Sequence, residues 1–476
     1  MESTWFERAA HPAHVSAALA SEVPELRAGT SELVGCRVTR LRSAGDDAPA
    51  GAEGAWTATY LLTVRDGDAV PTTLAAHGTL VPPGADPPAA DPTPGLTGDG
   101  WSCWLPDLRL HLRTWSADAD LPGLAALTHE ASARELLEPL LRRSAGGPDD
   151  PHGADDVRLA GCTATVASYK PGVRATVCCD LEYATTTPSP ARPHAVVAKV
   201  HRPDEGRAVH DALEALWSSP LRTSPAVRIA EPLGYVDELG VSVQSHLDHE
   251  LTLKDLLAQS FAGPGADPRL VDALRTTAAG IAALHTCGIT DGPEVRWSDE
   301  LAAVEAKHAK LAAVVPWLTD LTGDALARVA AAGERHAPDP AAPAHGSLRP
   351  AQVLLLDGGG LGLIDFDKVA RAEPAVDLGL FLTKMRHTAV NKTGEPDEPG
   401  ELDPARLEER SARVDALADA FLSAYRQQAP VTLERVRLWE SLELFSLVLS
   451  AAKKLLPDRA ATCAAMLERH LATQDR

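Results

Sequence analysis

Lysine is scarce in this chain. Ten lysines stand against thirty-five arginines among 476 residues, and none precedes Lys170. Acidic groups outnumber basic ones, 66 to 45, for a formal net charge of −21. A surface of that sign repels phosphate backbones and anionic lipid, which argues against general nucleic-acid binding or docking on a membrane. A small local phosphate site stays compatible, and the acidic balance suits either a cationic substrate or plain solubility. No run of about 18 uncharged apolar residues occurs, so no membrane span is expected. The seven cysteines (36, 103, 162, 178, 179, 287 and 463) are odd in number and form no CxxC or Cys/His cluster. Neither a disulfide framework nor a zinc site is indicated, and a reducing compartment is the default. The opening MESTWFERAAHPAHV has no basic or apolar targeting region, so the expectation is a cytoplasmic protein.

What is present can build a sizeable core. Hydrophobic residues make up 45% of the chain, and the length predicts about three domains. Breaks rich in Pro, Gly and acidic residues fall at 82–100, 144–156 and 391–400. Short runs with β-forming or alternating residues fill the first half: 36–41, 56–64, 72–81 and 108–112, then 157–169, 175–183 and 195–200. A short helix is expected over 131–143. Helical spacing dominates from about residue 205, as in 270–284 and 301–315. The expected domains are a β-rich one over 1–150, a small lobe over 157–248 and a helical lobe over 249–476.

The two β regions resemble each other. Gly35-Cys36 opens a strand as Gly161-Cys162 does, and Pro71-TTLAA-His77 has the frame of Pro193-HAVVA-Lys199. Trp104-Leu-Pro-Asp-Leu108 likewise matches Tyr235-Val-Asp-Glu-Leu239. A diverged duplication, with the first copy a degenerate small lobe, and a chance likeness of short Ala/Val/Leu strands both remain open.

The segment richest in chemistry is His345-Gly-Ser-Leu-Arg-Pro-Ala-Gln352, followed by Leu363-Ile-Asp-Phe-Asp367 and Pro374-Ala-Val-Asp377-Leu. These three stretches, in this order, resemble the catalytic and metal-binding loops of the aminoglycoside phosphotransferase family, whose fold is related to the protein kinases. The usual patterns there are His-Gly-Asp-x-x-x-x-Asn and Ile-Asp-Phe/Trp. The resemblance implies an α+β, protein-kinase-like two-lobe fold, with a small antiparallel β lobe and a large α-helical lobe behind the β-rich N-terminal domain. It implies ATP and Mg²⁺ as cofactors and a small-molecule or peptide hydroxyl as acceptor. Lys199 falls where the phosphate-pairing lysine belongs, with Glu214 on the following helix as its ion-pair partner. Gly172 lies in the loop that covers phosphates, and Ser245 and Leu247 in the hinge that meets the base. Asp365 and Gln352 take the metal positions, Gln352 in place of asparagine. Arg349 stands where many kinases place a lysine near the γ-phosphate.

Ser347 departs from the pattern. The family carries aspartate there, which orients the hydroxyl or accepts its proton, and a neutral serine cannot be a comparable base. Either Asp367 substitutes as the carboxylate, or the chain is a pseudokinase, a nucleotide-binding scaffold or regulatory subunit without transfer. A third reading is an interaction protein without nucleotide, against which Lys199, Asp365 and Gln352 count. The N-terminal domain is left for a protein partner. Asp377 is expected to brace the catalytic loop, and His345 to hold it through hydrogen bonds.

Overall fold

In the strand Trp56–Asp66, Ala58, Tyr60, Leu62 and Val64 are buried while the residues between them are half-buried, the period-two pattern of a sheet with one apolar face. The same alternation runs through Arg174–Tyr183, where Ala175, Val177, Cys179 and Leu181 face inward. The computed structural model describes residues 5–43, 56–67, 69, 71–84, 96, 101–114, 118, 120–145, 157–170, 172–185, 192–203, 205–262, 268–357, 359–391, 404–454 and 456–474. Most of each break, 82–100, 144–156 and 391–400, lies outside the described residues.

The chain divides into two units, one of residues 1–207 with 233–245 and the other of 208–232 with 246–476. The first unit holds two antiparallel sheets. One comprises β1 (Ser31–Ser43), β2 (Trp56–Asp66), β3 (Thr72–Leu80), β4 (Ser102–Leu105) and β5 (Leu110–Thr114), in the order β1-β2-β3-β5-β4. The other comprises β6 (Leu159–Lys170), β7 (Arg174–Tyr183), β8 (Ala195–His201), β9 (Pro232–Val236) and β10 (Val241–Ser245), in the order β6-β7-β8-β10-β9. The two orders are the same, strand for strand, as a duplication requires. The correspondence extends to register. His77 pairs with Thr59 and Arg113, and Lys199 pairs with Thr176 and Ser242.

Two details differ from the sequence-based expectation. Leu108 lies in a 3-10 turn, Pro106–Leu108, and the strand starts at Leu110. Pro106 has no amide hydrogen for a ladder and Arg109 takes a left-handed φ of 47°, so the turn closes before the strand begins. The helices Trp5–Ala10, Pro12–Glu22 and Pro24–Ala28 also precede the first sheet, where the sequence reading placed no element. They are short, and Val15 and Leu19 are the buried residues of the longest.

The second unit is mainly helical. Its core joins Leu274 and Ile281 of Pro268–His285, Phe381 and Met385 of Ala375–Asn391, Phe421 of Pro404–Arg426 and Phe445 of Leu433–Ala452. Phe381 and Phe421 stack with ring centroids 4.7 Å apart. Helices Ala375–Asn391 and Leu433–Ala452 approach closely at Gly379, where a β-carbon would stand 2.7 Å from the Glu440 backbone nitrogen. Charged groups tie the same helices together. Arg386 pairs with Glu440 and Asp415. The fully buried Arg435 forks onto Glu373, which also accepts from Trp439 Nε1 at 2.6 Å. Among the described residues, no helix is long and apolar enough to cross a membrane.

Candidate active site

The short strand Ala342–Ala344 delivers the chain into His345-Gly346-Ser347. Gly346 has φ +72°, and a β-carbon there would fall on the Lys368 carbonyl oxygen, so only glycine fits this approach of two loops. Asp377, fully buried at the start of Ala375–Asn391, holds the turn from below. Its Oδ2 accepts from the His345 amide at 2.6 Å and its Oδ1 from the Gly346 amide at 2.9 Å. His285 Nε2 lies 3.1 Å from Oδ2, and its other ring nitrogen 2.8 Å from the Tyr425 hydroxyl. Burial alone would raise the Asp377 carboxyl, but the bond from His285 and the contacts to His345 hold it below the ordinary carboxylate value. The His345 ring in turn donates to the Ile364 carbonyl at 3.0 Å, linking the two loops. Asp377 and His345 are therefore braces.

The hairpin of Val353–Leu356 and Leu361–Leu363 sets the Gln352 and Asp365 segments side by side. Gln352 Nε2 donates to Asp365 Oδ2 at 2.6 Å, while its Oε1 accepts from the Arg349 amide at 3.0 Å. Asp365 has φ +71°, a left-handed conformation that aspartate adopts more readily than bulkier residues and that clusters at functional loops. A half-buried carboxylate touching a side-chain amide is a donor set of oxygen chemistry, suited to a hard divalent cation. Presenting the amide oxygen to such an ion would require the Gln352 amide to turn over and release the Arg349 amide.

Ser347, Arg349 and Asp367 line one cavity of about 650 Å³. The Ser347 hydroxyl lies 3.3 Å from His345 Nδ1. Glu300, Lys384 and Glu443 complete the charged lining, together with Lys368. None of these four was singled out from the sequence. Lysine scarcity is the available signal for Lys384, whereas Glu443 is one of five charged residues on Leu433–Ala452, and no motif around it sets it apart.

The remaining site residues are placed as follows. Lys199 on β8 is only 6% exposed. Glu214 is exposed on the helix Gly206–Trp217, and its carboxylate lies 3.2 Å from His210 Nε2. Ser245 ends β10 and the boundary between the two units falls just after it. Leu247 packs beside Gly362 of the hairpin. Gly172, with φ +63°, forms the turn between β6 and β7. Its amide donates to Asp118 Oδ2 at 2.7 Å, and the Tyr169 hydroxyl donates to the same oxygen at 2.7 Å. Asp118 is buried, and no sequence pattern marks it, because its partners stand more than fifty positions away.

A family model described as "Phosphotransferase enzyme family" matches residues 181–439, more than half of the chain. Among solved structures, a glucosamine kinase aligns at 17% identity and TM-score 0.48, over 98% of this chain and 99% of that one. A choline/ethanolamine kinase family protein from Mesorhizobium loti aligns at 14% identity and TM-score 0.42, over 70% of this chain and 96% of that one. A thermostable mutant of an aminoglycoside phosphotransferase aligns at 14% identity and TM-score 0.40, over 65% and 94%. Comparison with curated proteins returns no match.

Proposed function

Because the chain belongs to the phosphotransferase enzyme family, we propose that it moves the γ-phosphoryl group of ATP to a hydroxyl of a small molecule or peptide. The observation that carries this reading is the Gln352–Asp365 pair beside a cavity lined by Ser347, Arg349 and Asp367. Phosphoryl transfer needs little covalent chemistry from the protein. It needs charge stabilisation and an oriented nucleophile.

Asp365 and Gln352 would hold Mg²⁺, which supplies positive charge against the phosphate oxygens. Arg349 adds a fixed cation on the cavity wall. The acceptor oxygen forms a bond to γ-phosphorus as the bond to the β-phosphate oxygen breaks, and ADP departs. The acceptor's proton goes to the Asp367 carboxylate, the acidic group within the catalytic segment that faces the cavity. Ser347 orients the hydroxyl through a hydrogen bond and takes no proton.

The test is thermal unfolding with ATP and Mg²⁺, together and separately. A ligand at about a hundredfold over its Kd stabilises by about 2.7 kcal/mol. The pair together should raise the unfolding temperature of wild type, and Lys199→Ala or Asp365→Ala should remove most of that rise. An equal response in all three proteins would reject the site. Ser347 favours one second reading, a pseudokinase, marked by the same thermal response with no turnover for any hydroxyl compound.

A further inference from the structure

The cavity beside Ser347 has a charge pattern that the phosphotransferase reading does not use. Its charged lining comprises three carboxylates (Glu300, Asp367 and Glu443) and three cations (Arg349, Lys368 and Lys384), so the formal charge of the wall is zero. Lys384 and Glu443 come from Ala375–Asn391 and Leu433–Ala452, the helices locked together at Gly379. Both are half-buried. Among the described residues, neither side chain forms a hydrogen bond or ion pair.

Each is partly shielded from bulk water, and its polar atoms stay open to the cavity. Burial pushes the Glu443 carboxyl up, opposed by Lys384 and Lys307 and assisted by Glu300. Burial pushes the Lys384 ammonium down, opposed by Glu443 and assisted by Arg349. A charged group partly shielded in this way gains from a ligand that replaces its water with well-placed hydrogen bonds.

The ligand must serve both groups at once. An amine would satisfy Glu443 but bring a like charge to Lys384. A carboxylate would satisfy Lys384 and be repelled by Glu443. Neighbouring hydroxyls do both, donating to the carboxylate and accepting from the ammonium, and they add no net charge to a wall that is already balanced. The apolar members of the lining, Val295, Val369 and Leu380, give the C–H face of a saturated ring something to lie against. We propose that this cavity takes a neutral polyhydroxylated acceptor, a sugar or cyclitol without amine or acid, held between Glu443 and Lys384. The proposal rests on the phosphotransferase reading and narrows its acceptor. It opposes the cationic substrate that the acidic surface of the whole chain suits.

The test is calorimetric titration of the full chain, with and without Mg²⁺ and ADP, using glucose, myo-inositol, glucosamine, choline and gluconate as probes. Glucose or myo-inositol should bind more tightly than the three charged compounds. Glu443→Gln and Lys384→Gln should each weaken that binding about tenfold or more. Lys384→Met should lift glucosamine relative to glucose, and Lys384→Arg should keep the wild-type ranking. Unfolding midpoints equal to wild type would show that the variants fold. A charged compound binding as tightly as the neutral ones, or no binding of either neutral compound, overturns the proposal. Nucleotide titration on the same samples reads the parent proposal separately, since its loss would leave the acceptor ranking measured without ADP intact.

Discussion

On the proposed reading, Ser347 and Asp367 are the residues at which activity is decided. With Asp367 taking the proton, Ser347→Ala removes one orienting hydrogen bond, about 0.5–1.5 kcal/mol. That corresponds to roughly a two- to twelvefold loss of rate. Asp367→Asn should instead cost about two orders of magnitude or more. Steady-state ATP turnover with an acceptor hydroxyl distinguishes them, and undiminished turnover in Asp367→Asn would remove it as the base. Candidates of this kind can be named from the sequence because loops that handle phosphate need fixed residue types at fixed spacing. Gln352, Asp365 and Asp377 are marked by the resemblance of their segments to known phosphotransferase loops. Glu443 and Asp118 are not, because what each does depends on a neighbour supplied by a distant part of the chain.

At the scale of elements, legibility followed periodicity. Alternating burial made β2 and β7 readable, and their strands lie close to where the sequence places them. The three N-terminal helices carry too few apolar residues to show a face, with only Val15 and Leu19 buried in Pro12–Glu22. The contact between Ala375–Asn391 and Leu433–Ala452 is likewise silent in sequence, although Gly379 decides it. The atoms that a β-carbon would strike there are the Glu440 nitrogen and the Trp439 carbons, and backbone cannot swing aside. Gly379→Ala should therefore force the helices apart at a cost of about 1–3 kcal/mol, read as an unfolding midpoint lower by several degrees. An unchanged midpoint would mean that the two helices have slack at this crossing.

At the largest scale, the buried apolar side chains of the described residues gather into three separate clusters rather than one. Two belong to the first unit, around Tyr60 and around Val177, and one to the second, around Phe381. Cores that share few side chains melt with partial independence. Scanning calorimetry should give a calorimetric enthalpy larger than the van't Hoff value, and equality of the two would show that the clusters unfold as one. The doubled strand order was foreshadowed by sequence likeness, but only paired registers put His77 and Lys199 on the same rung. Asp118 adds a link that runs from the end of the first sheet to the hairpin tip of the second. Amides at hairpin tips ordinarily exchange their hydrogens with solvent almost as fast as those of an open chain. With its hydrogen held by a buried carboxylate, Gly172 should exchange slowly, and Asp118→Ala should return it to the open-chain rate while the amides within β7 keep theirs. The tempo of that tip is set 54 positions upstream, by a residue outside its own sheet.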